Sequence, residues 1–426
     1  MTTLADTVPY RPSPPAAPSR VRRTVRFALP PLAAYLLGHL VYLTGAIRSG
    51  VDYFTVAAHA RWDSTFYEEI AGHGYHMFVC DTEPKFAFYG NAWCGNAGWF
   101  PLYPWLIRLV RMVTGLSVAR SALLVGEAAT IAAVLLFWWL LTRLVPSEPG
   151  TAGRGMRPRG AGLRNGALLA LVVVFPVGIY FHAVFPMSVA VAATLACLAL
   201  ATRRHWVLAG LAGAAAAAAY PVGVAAGLGA VAAVAALAGG ERNAVPRYLI
   251  RAALVGALSL GGLVLVFVVM RVATGHWDAF FLSQDKYGGQ RHDPLYAFIA
   301  MVSHGPAGPD TVKASRMLTD RLDVAVRAEM WASLGLVLLA CACAVVAAVR
   351  RRIVALDVGL AFFAVVAWLV PLFAGTQISQ YRSHALLLPV LLLLRHLPGW
   401  LLGLLTIPAA LLAYKMGTLF YVSLLF

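Results

Sequence analysis

The stretch Phe27–Ile47, FALPPLAAYLLGHLVYLTGAI, runs for 21 residues without an Asp, Glu, Lys or Arg. A helix of that length spans about 30 Å, the thickness of a bilayer's hydrocarbon core. It is too long for the apolar centre of a signal peptide and has no small-x-small cleavage site after it, so it reads as a retained anchor. The pattern recurs along the whole 426-residue chain, which is 60% hydrophobic and 12% charged with a mean hydropathy of +0.75. Soluble domains carry about a quarter charged residues. Backbone groups in lipid must pair within their own segment, so the apolar runs are helices. The expected class is an all-α polytopic membrane protein.

Expected spans are 27–47, 118–142, 166–185, 187–202, 206–220, 222–239, 252–273, 330–349, 353–374, 383–396 and 399–425, about 11 transmembrane helices in one domain, 27–426. Residues 1–26, rich in Pro, Ala, Ser and Arg, read as a disordered basic cytoplasmic tail. The net charge of +16 reads as topology and lipid contact rather than nucleic-acid binding, because the arginines punctuate the ends of apolar runs. Clusters at 143–164, 203–204, 242–251, 350–352 and 395 fall on one side if Phe100–Gly115, FPLYPWLIRLVRMVTG, lies in the interface instead of crossing. Two large extracytoplasmic loops with interfacial helices follow, 48–117 and 274–329, with a short one at 375–382. Most of the Trp, Tyr, His, Asp and Glu lie in the two large loops, which places the working face outside. Cys80 and Cys94 share the first loop, where they form a disulfide or remain two thiols.

The first loop opens on Ala60–Tyr75, ARWDSTFYEEIAGHGY. Thr65-Phe-Tyr-Glu68 fits a capping box, so a helix is expected to start near Thr65 with Asp63 just before its positive end. Arg61 is positioned in sequence to hold Asp63 charged. Asp63 is then either a helix-start residue or a chemical group set among Trp62, Phe66 and Tyr67. Glu68 and Glu69 are solvated helix charges or acceptor contacts, and Trp99 and Tyr103 are interface anchors or substrate contacts. His182, in VFPVGIYFHAVFPMSVA (174–190), is a polar cap or a substrate contact. The second loop opens on HWDAFFLSQDKYGGQRHDP (276–294), where Lys286, Arg291 and His292 are the notable cations. In SQYRSHALLLP (379–389), Tyr381 and Arg382 stand at the mouth of a span, where an arginine needs a cavity or an anion such as a lipid phosphate. No phosphate-binding glycine loop and no zinc-spaced Cys/His cluster is present. A site outside the cell therefore calls for a lipid-borne donor and no cofactor, with the requirement for a divalent ion left open.

RWDSTFYEEIAGHGY followed by WFPLYPWLIRL resembles the first-loop signature of the PIG-V family, the GPI mannosyltransferase 2 type, whose members are GT-C glycosyltransferases. FPVGIYFHAVF, HWDAFFLSQDKYGG and QYRSHALLLP extend the resemblance over most of the chain, and the Ala/Arg/Gly-rich composition suggests an actinobacterial homologue. The chain departs from the family pattern at Phe185-Pro186, where an acidic residue usually follows a Tyr, and at Tyr220-Pro221, where an Arg often precedes a run of small residues. The resemblance implies a GT-C-type bundle in the plasma membrane. It also implies inverting transfer of mannose from polyprenyl-phosphate mannose to a glycolipid or related cell-envelope acceptor on the extracytoplasmic face. Asp63 would be the general base, with Arg382, helped by Lys286 or Arg291, on the donor phosphate. A lipid or sugar transporter or flippase without transferase activity is the alternative class. A non-catalytic membrane scaffold is a third, though it would not require such clustered polar residues.

Overall fold

A computed structural model describes residues 20–144, 159–240, 245–286, 319–374, 380–423 and 425. Among these, six helices are long and apolar enough to cross a membrane, and four apolar helices of 10–17 residues are shorter. The long ones are α1 (Arg20–Arg48), α5 (Val118–Leu144), α10 (Val245–Thr274), α12 (Thr319–Val349), α13 (Ala355–Ala374) and α14 (Gly399–Tyr421). The shorter ones are α6 (Arg159–Val173), α7 (Met187–Thr202), α8 (Trp206–Ala219) and α9 (Val224–Leu237). This is the helical architecture of a multi-pass membrane protein. Helix α1 begins at Arg20, seven residues inside the stretch read as disordered tail.

Two expected spans differ in kind. The run 166–185 is not one helix: α6 ends at Val173, and the chain passes through a short 3-10 turn, Gly178–Phe181, before α7 starts beyond Pro186. Pro176 and Pro186 lack the amides that would carry a helix through. The run 383–396 is a 3-10 helix over His384–His396, buried from His384 to Arg395. At about 2.0 Å rise per residue, 13 residues in this form cover roughly 26 Å, against about 20 Å as an α-helix. Its leucines meet other helices rather than lipid, so the less regular backbone is shielded by protein.

Close packing here depends on small residues. A Cβ added at Gly262 on α10 would lie 2.1 Å from the Ala214 carbonyl oxygen on α8. Backbone cannot yield as a side chain can, so Gly262→Ala should separate the two helices and cost about 1–3 kcal/mol. A thermal unfolding scan of the purified variant, showing a lower midpoint than the wild type, checks this.

One end of the bundle carries the first loop. There α2 (Val56–His59) and α3 (Ser64–His73) precede an antiparallel hairpin of β1 (Met77–Val79) and β2 (Trp93–Gly95), paired Met77 to Gly95. A disulfide joins Cys80, just past β1 on the loop side, to Cys94 within β2. Helix α4 (Leu102–Thr114) follows as a 13-residue amphipathic rod. Tyr103, Pro104 and Ile107 face inward, while Trp105, Leu109, Met112 and Val113 are exposed. About 20 Å long, it is too short to cross, as expected of an interfacial helix. The Arg108 guanidinium donates to the Ala71 and Ile70 carbonyls at 3.1 Å, satisfying the open end of α3.

The second loop begins against the first. Helix α11 (Ala279–Asp285) packs on the hairpin, with Gln284 Nε2 donating to the Gly98 carbonyl at 3.3 Å and His276 beside Trp93 at 5.0 Å between rings. The opposite end of the bundle holds Arg350, Arg351, Arg352 and Arg395. Arg395 is not a headgroup contact as its clustering suggested. It is 5% exposed and pairs with the fully buried Asp357 at 2.6 Å.

Candidate functional site

Asp63 is the residue before α3, yet its side chain makes no capping bond. Thr65 does not cap either, since its hydroxyl donates to the Trp62 carbonyl at 3.0 Å. The capping box read from sequence is therefore not formed. The carboxylate instead makes an ion pair and hydrogen bond with Arg382, 319 residues away in sequence. This pairing is inconsistent with Asp63 serving only to start a helix.

The local chain explains where Asp63 points. Trp62 adopts φ +45°, a left-handed conformation unusual for a bulky residue, and this turns the chain sharply between α2 and α3. Ser64 Oγ donates to the Val184 carbonyl at 3.1 Å, and the Val184 amide donates to the His59 carbonyl at 2.9 Å. The segment after α6 thus clamps both sides of Asp63.

Arg382 lies deep, with its side chain 10% exposed against 23% for Asp63, so Asp63 is the member reachable from outside. The guanidinium sits over the Phe185 ring at 5.6 Å. The phenols of Tyr67, Tyr180 and Tyr220 interact electrostatically with both Asp63 and Arg382. Tyr381 is buried next to Tyr180, with ring centroids 6.3 Å apart. Burial pushes the Tyr67 hydroxyl well above the usual phenol range, which keeps it a neutral hydrogen-bonding group. Arg382 Nε is buried without a hydrogen-bond partner among the described residues. A guanidinium with donor capacity to spare, set among phenols, suits an oxyanion such as phosphate.

Lys286 joins this group from the second loop. Its ammonium stands 6.0 Å from the Phe66 ring and is attracted by the Asp63 charge. Burial brings its pKa down to about 8 despite that attraction. Phe66 is in turn stacked on Trp99 at 3.8 Å. Trp99, at 5% exposure, is a packed wall and not an interface anchor.

Other expected contacts lie elsewhere. Arg61 turns away from Asp63: it donates to the Ala57, Ala60 and Tyr421 carbonyls and stacks on Phe420 at 5.8 Å. Tyr103 is fully buried, and its hydroxyl is spent on the Ala122 carbonyl at 2.8 Å. It bolts α4 to α5 and supports Tyr67 edge-on at 5.4 Å. Trp62 is 46% exposed at the rim. Glu68 is partly buried on α3, where burial raises its carboxyl above the usual range. Glu69 faces the hairpin, within 3.7 Å of His76. His182 is not beside Arg382; it pairs with Glu127 of α5 at 3.1 Å. Arg291 and His292 lie outside the described residues.

The sequence reading missed Glu127 and Glu329. Glu329 of α12 pairs with His384 at 3.0 Å, both nearly fully buried. For Glu127 the available signal was an acidic residue in the middle of an apolar run, which is expensive unless it has a partner. Glu329 follows several charged residues at the start of α12 and gave no such signal. A search of protein-family models finds none that matches this chain, and no curated protein matches it.

Proposed function

We propose that the chain is a GT-C-type membrane glycosyltransferase. It would transfer mannose from polyprenyl-phosphate mannose to a hydroxyl of a glycolipid or other cell-envelope acceptor, at the extracytoplasmic face of the plasma membrane. The observation that carries this reading is the contact of Asp63, the more accessible partner, with Arg382, a buried guanidinium holding an unused donor. Mannose itself rests on the resemblance of RWDSTFYEEIAGHGY and WFPLYPWLIRL to the PIG-V signature.

Asp63 and Arg382, expected as base and phosphate-holding cation, are in direct contact. Opposite charges withdrawn from water close on one another because unpaired burial costs several kcal/mol. Chemistry on this reading starts with an exchange of partners. The donor phosphate takes over Arg382, which frees the Asp63 carboxylate for the acceptor hydroxyl. Asp63 accepts the hydroxyl proton as that oxygen bonds to the anomeric carbon. The bond from that carbon to the phosphate oxygen breaks with inversion, and polyprenyl phosphate leaves with the electron pair. Arg382 and Lys286 balance the charge that grows on the phosphate. Holding both lipid-anchored reactants at one end of the bundle supplies much of the rate.

Lys286 makes the reading testable by pH. Its ammonium is charged below about 8 and neutral above it. Donor affinity should therefore fall as pH rises from 7 to 9, several-fold in KM for the lipid donor. In Lys286→Arg, whose guanidinium stays charged, that fall should vanish. A pH profile of KM that is flat in the wild type removes Lys286 from the donor site.

The buried Glu127–His182 contact favours a second reading, a transporter, since ionisable pairs within a bundle also serve ion pathways. Membranes containing the chain, supplied with radiolabelled polyprenyl-phosphate mannose and a panel of lipid acceptors, separate the two. Label moving onto an acceptor supports transfer. Label moving across the bilayer with the donor intact supports transport and defeats the enzyme reading.

A further inference from the structure

Beneath the Asp63 platform, three elements meet at a polar cluster that the proposed transfer does not use. Glu127 of α5 has one carboxylate oxygen 3.1 Å from His182 Nδ1 and 3.5 Å from His39 Nε2 of α1. One ligand atom from each residue lies within 4.8 Å of the others. We infer that His39, Glu127 and His182 form a binding site for a divalent transition-metal ion of the zinc type.

The geometry fits the donor set. Tetrahedral zinc holds imidazole nitrogens and carboxylate oxygens at about 2.0–2.2 Å, which separates neighbouring ligand atoms by roughly 3.3–3.5 Å. The two contacts of Glu127, 3.1 and 3.5 Å, lie close to that edge. The ligand atoms as a set are separated by up to 4.8 Å, so the two imidazoles would draw together on binding. Two imidazoles and one carboxylate also form a common protein ligand set for such ions, with a fourth position open.

Outer partners are present as well. His39 Nδ1 lies 2.6 Å from the Tyr53 hydroxyl, which leaves Nε2 for the cluster. The Tyr35 hydroxyl donates to Glu127 at 2.9 Å, and the His182 carbonyl accepts from His59 Nδ1 at 2.6 Å. A contact such as that of Tyr53 with His39 fixes ring orientation and tautomer in metal sites. A cavity of about 30 Å3, bordered by Tyr35, Gly38, Thr130 and His182, adjoins the cluster. That is room for water as a further ligand.

Charge makes the cluster need a cation. Among the described residues the ion-pair partners of Glu127 are His39 and His182 only, with no Lys or Arg. A carboxylate inside an apolar helix requires compensating positive charge, which either an imidazole proton or a metal supplies. The ion would tie α1 and α5 to the segment containing Val184, whose carbonyl holds Ser64 next to Asp63. It would thereby position the Asp63 carboxylate without touching substrate.

Tag-free full-length protein in lipid nanodiscs, stripped with a chelator and titrated with Co2+, tests this directly. The expected result is saturable binding of a single ion per chain, with visible d–d absorption that Zn2+ displaces. Glu127→Gln should bind at least tenfold more weakly. Because Glu127→Gln could fail to fold, Tyr53→Phe is the second variant, expected to lose about tenfold in affinity through the outer contact alone. Absence of saturable, spectroscopically active binding in the stripped wild type overturns the site, as does unchanged affinity in folded variants. In that case a histidine proton balances Glu127. The readout is metal occupancy, so it stands or falls separately from any sugar transfer.

Discussion

On the proposed mechanism, Asp63→Asn should lower mannosyl transfer by roughly 100- to 10,000-fold, the range for removing a positioned general base. The amide retains the shape of the carboxylate but cannot accept the hydroxyl proton. The substitution has a second effect, because Asp63 is also the charge that faces Arg382. Removing it leaves a guanidinium buried against a neutral group. With 23% of the Asp63 side chain exposed, the loss of stability should be below the 3–5 kcal/mol typical of breaking a fully buried pair. The double variant Asp63→Asn/Arg382→Gln separates the effects. It should recover part of the lost thermal stability while transfer stays abolished, and donor binding should weaken further than in Asp63→Asn. Transfer at the wild-type rate in either variant would sink the base assignment.

The other large effect is expected at the opposite end of the bundle, where the chemistry of the pair is the same but the role differs. Asp357 is fully buried, 2.6 Å from Arg395 and 3.4 Å from His396, and it accepts from the Val354 amide at 3.1 Å. Neither charge reaches a cavity or loop that the proposed reaction uses. Asp357→Asn should therefore cost about 3–5 kcal/mol of stability, read as a lowered unfolding midpoint and reduced yield. The protein that does fold should keep its KM for donor. A changed KM with normal stability would reverse the roles assigned to the two pairs.

Much of the fold was legible because burial in lipid depends mainly on what each local segment contains. The apolar runs at 118–142, 187–202 and 206–220 correspond closely to α5, α7 and α8, since an apolar stretch of given length has few alternatives to a helix. The short, proline-led 100–115 stretch forms the 13-residue amphipathic helix α4. Local rules failed where a residue's partner lies far along the chain. Arg61 stands two positions from Asp63, but its guanidinium turns to α14, while the charge that meets Asp63 comes from position 382. Tyr103 offers a hydroxyl like any other until the neighbouring helix supplies the Ala122 carbonyl.

By itself, then, the sequence determined a helical membrane protein with its polar residues gathered in a few connecting segments, because hydropathy and helix length act residue by residue. Only the tertiary structure decided which carboxylate meets which cation, and that Glu127 is flanked by His39 and His182. The energy of a buried charge depends on what stands within a few ångströms of it, and helix packing sets those neighbours.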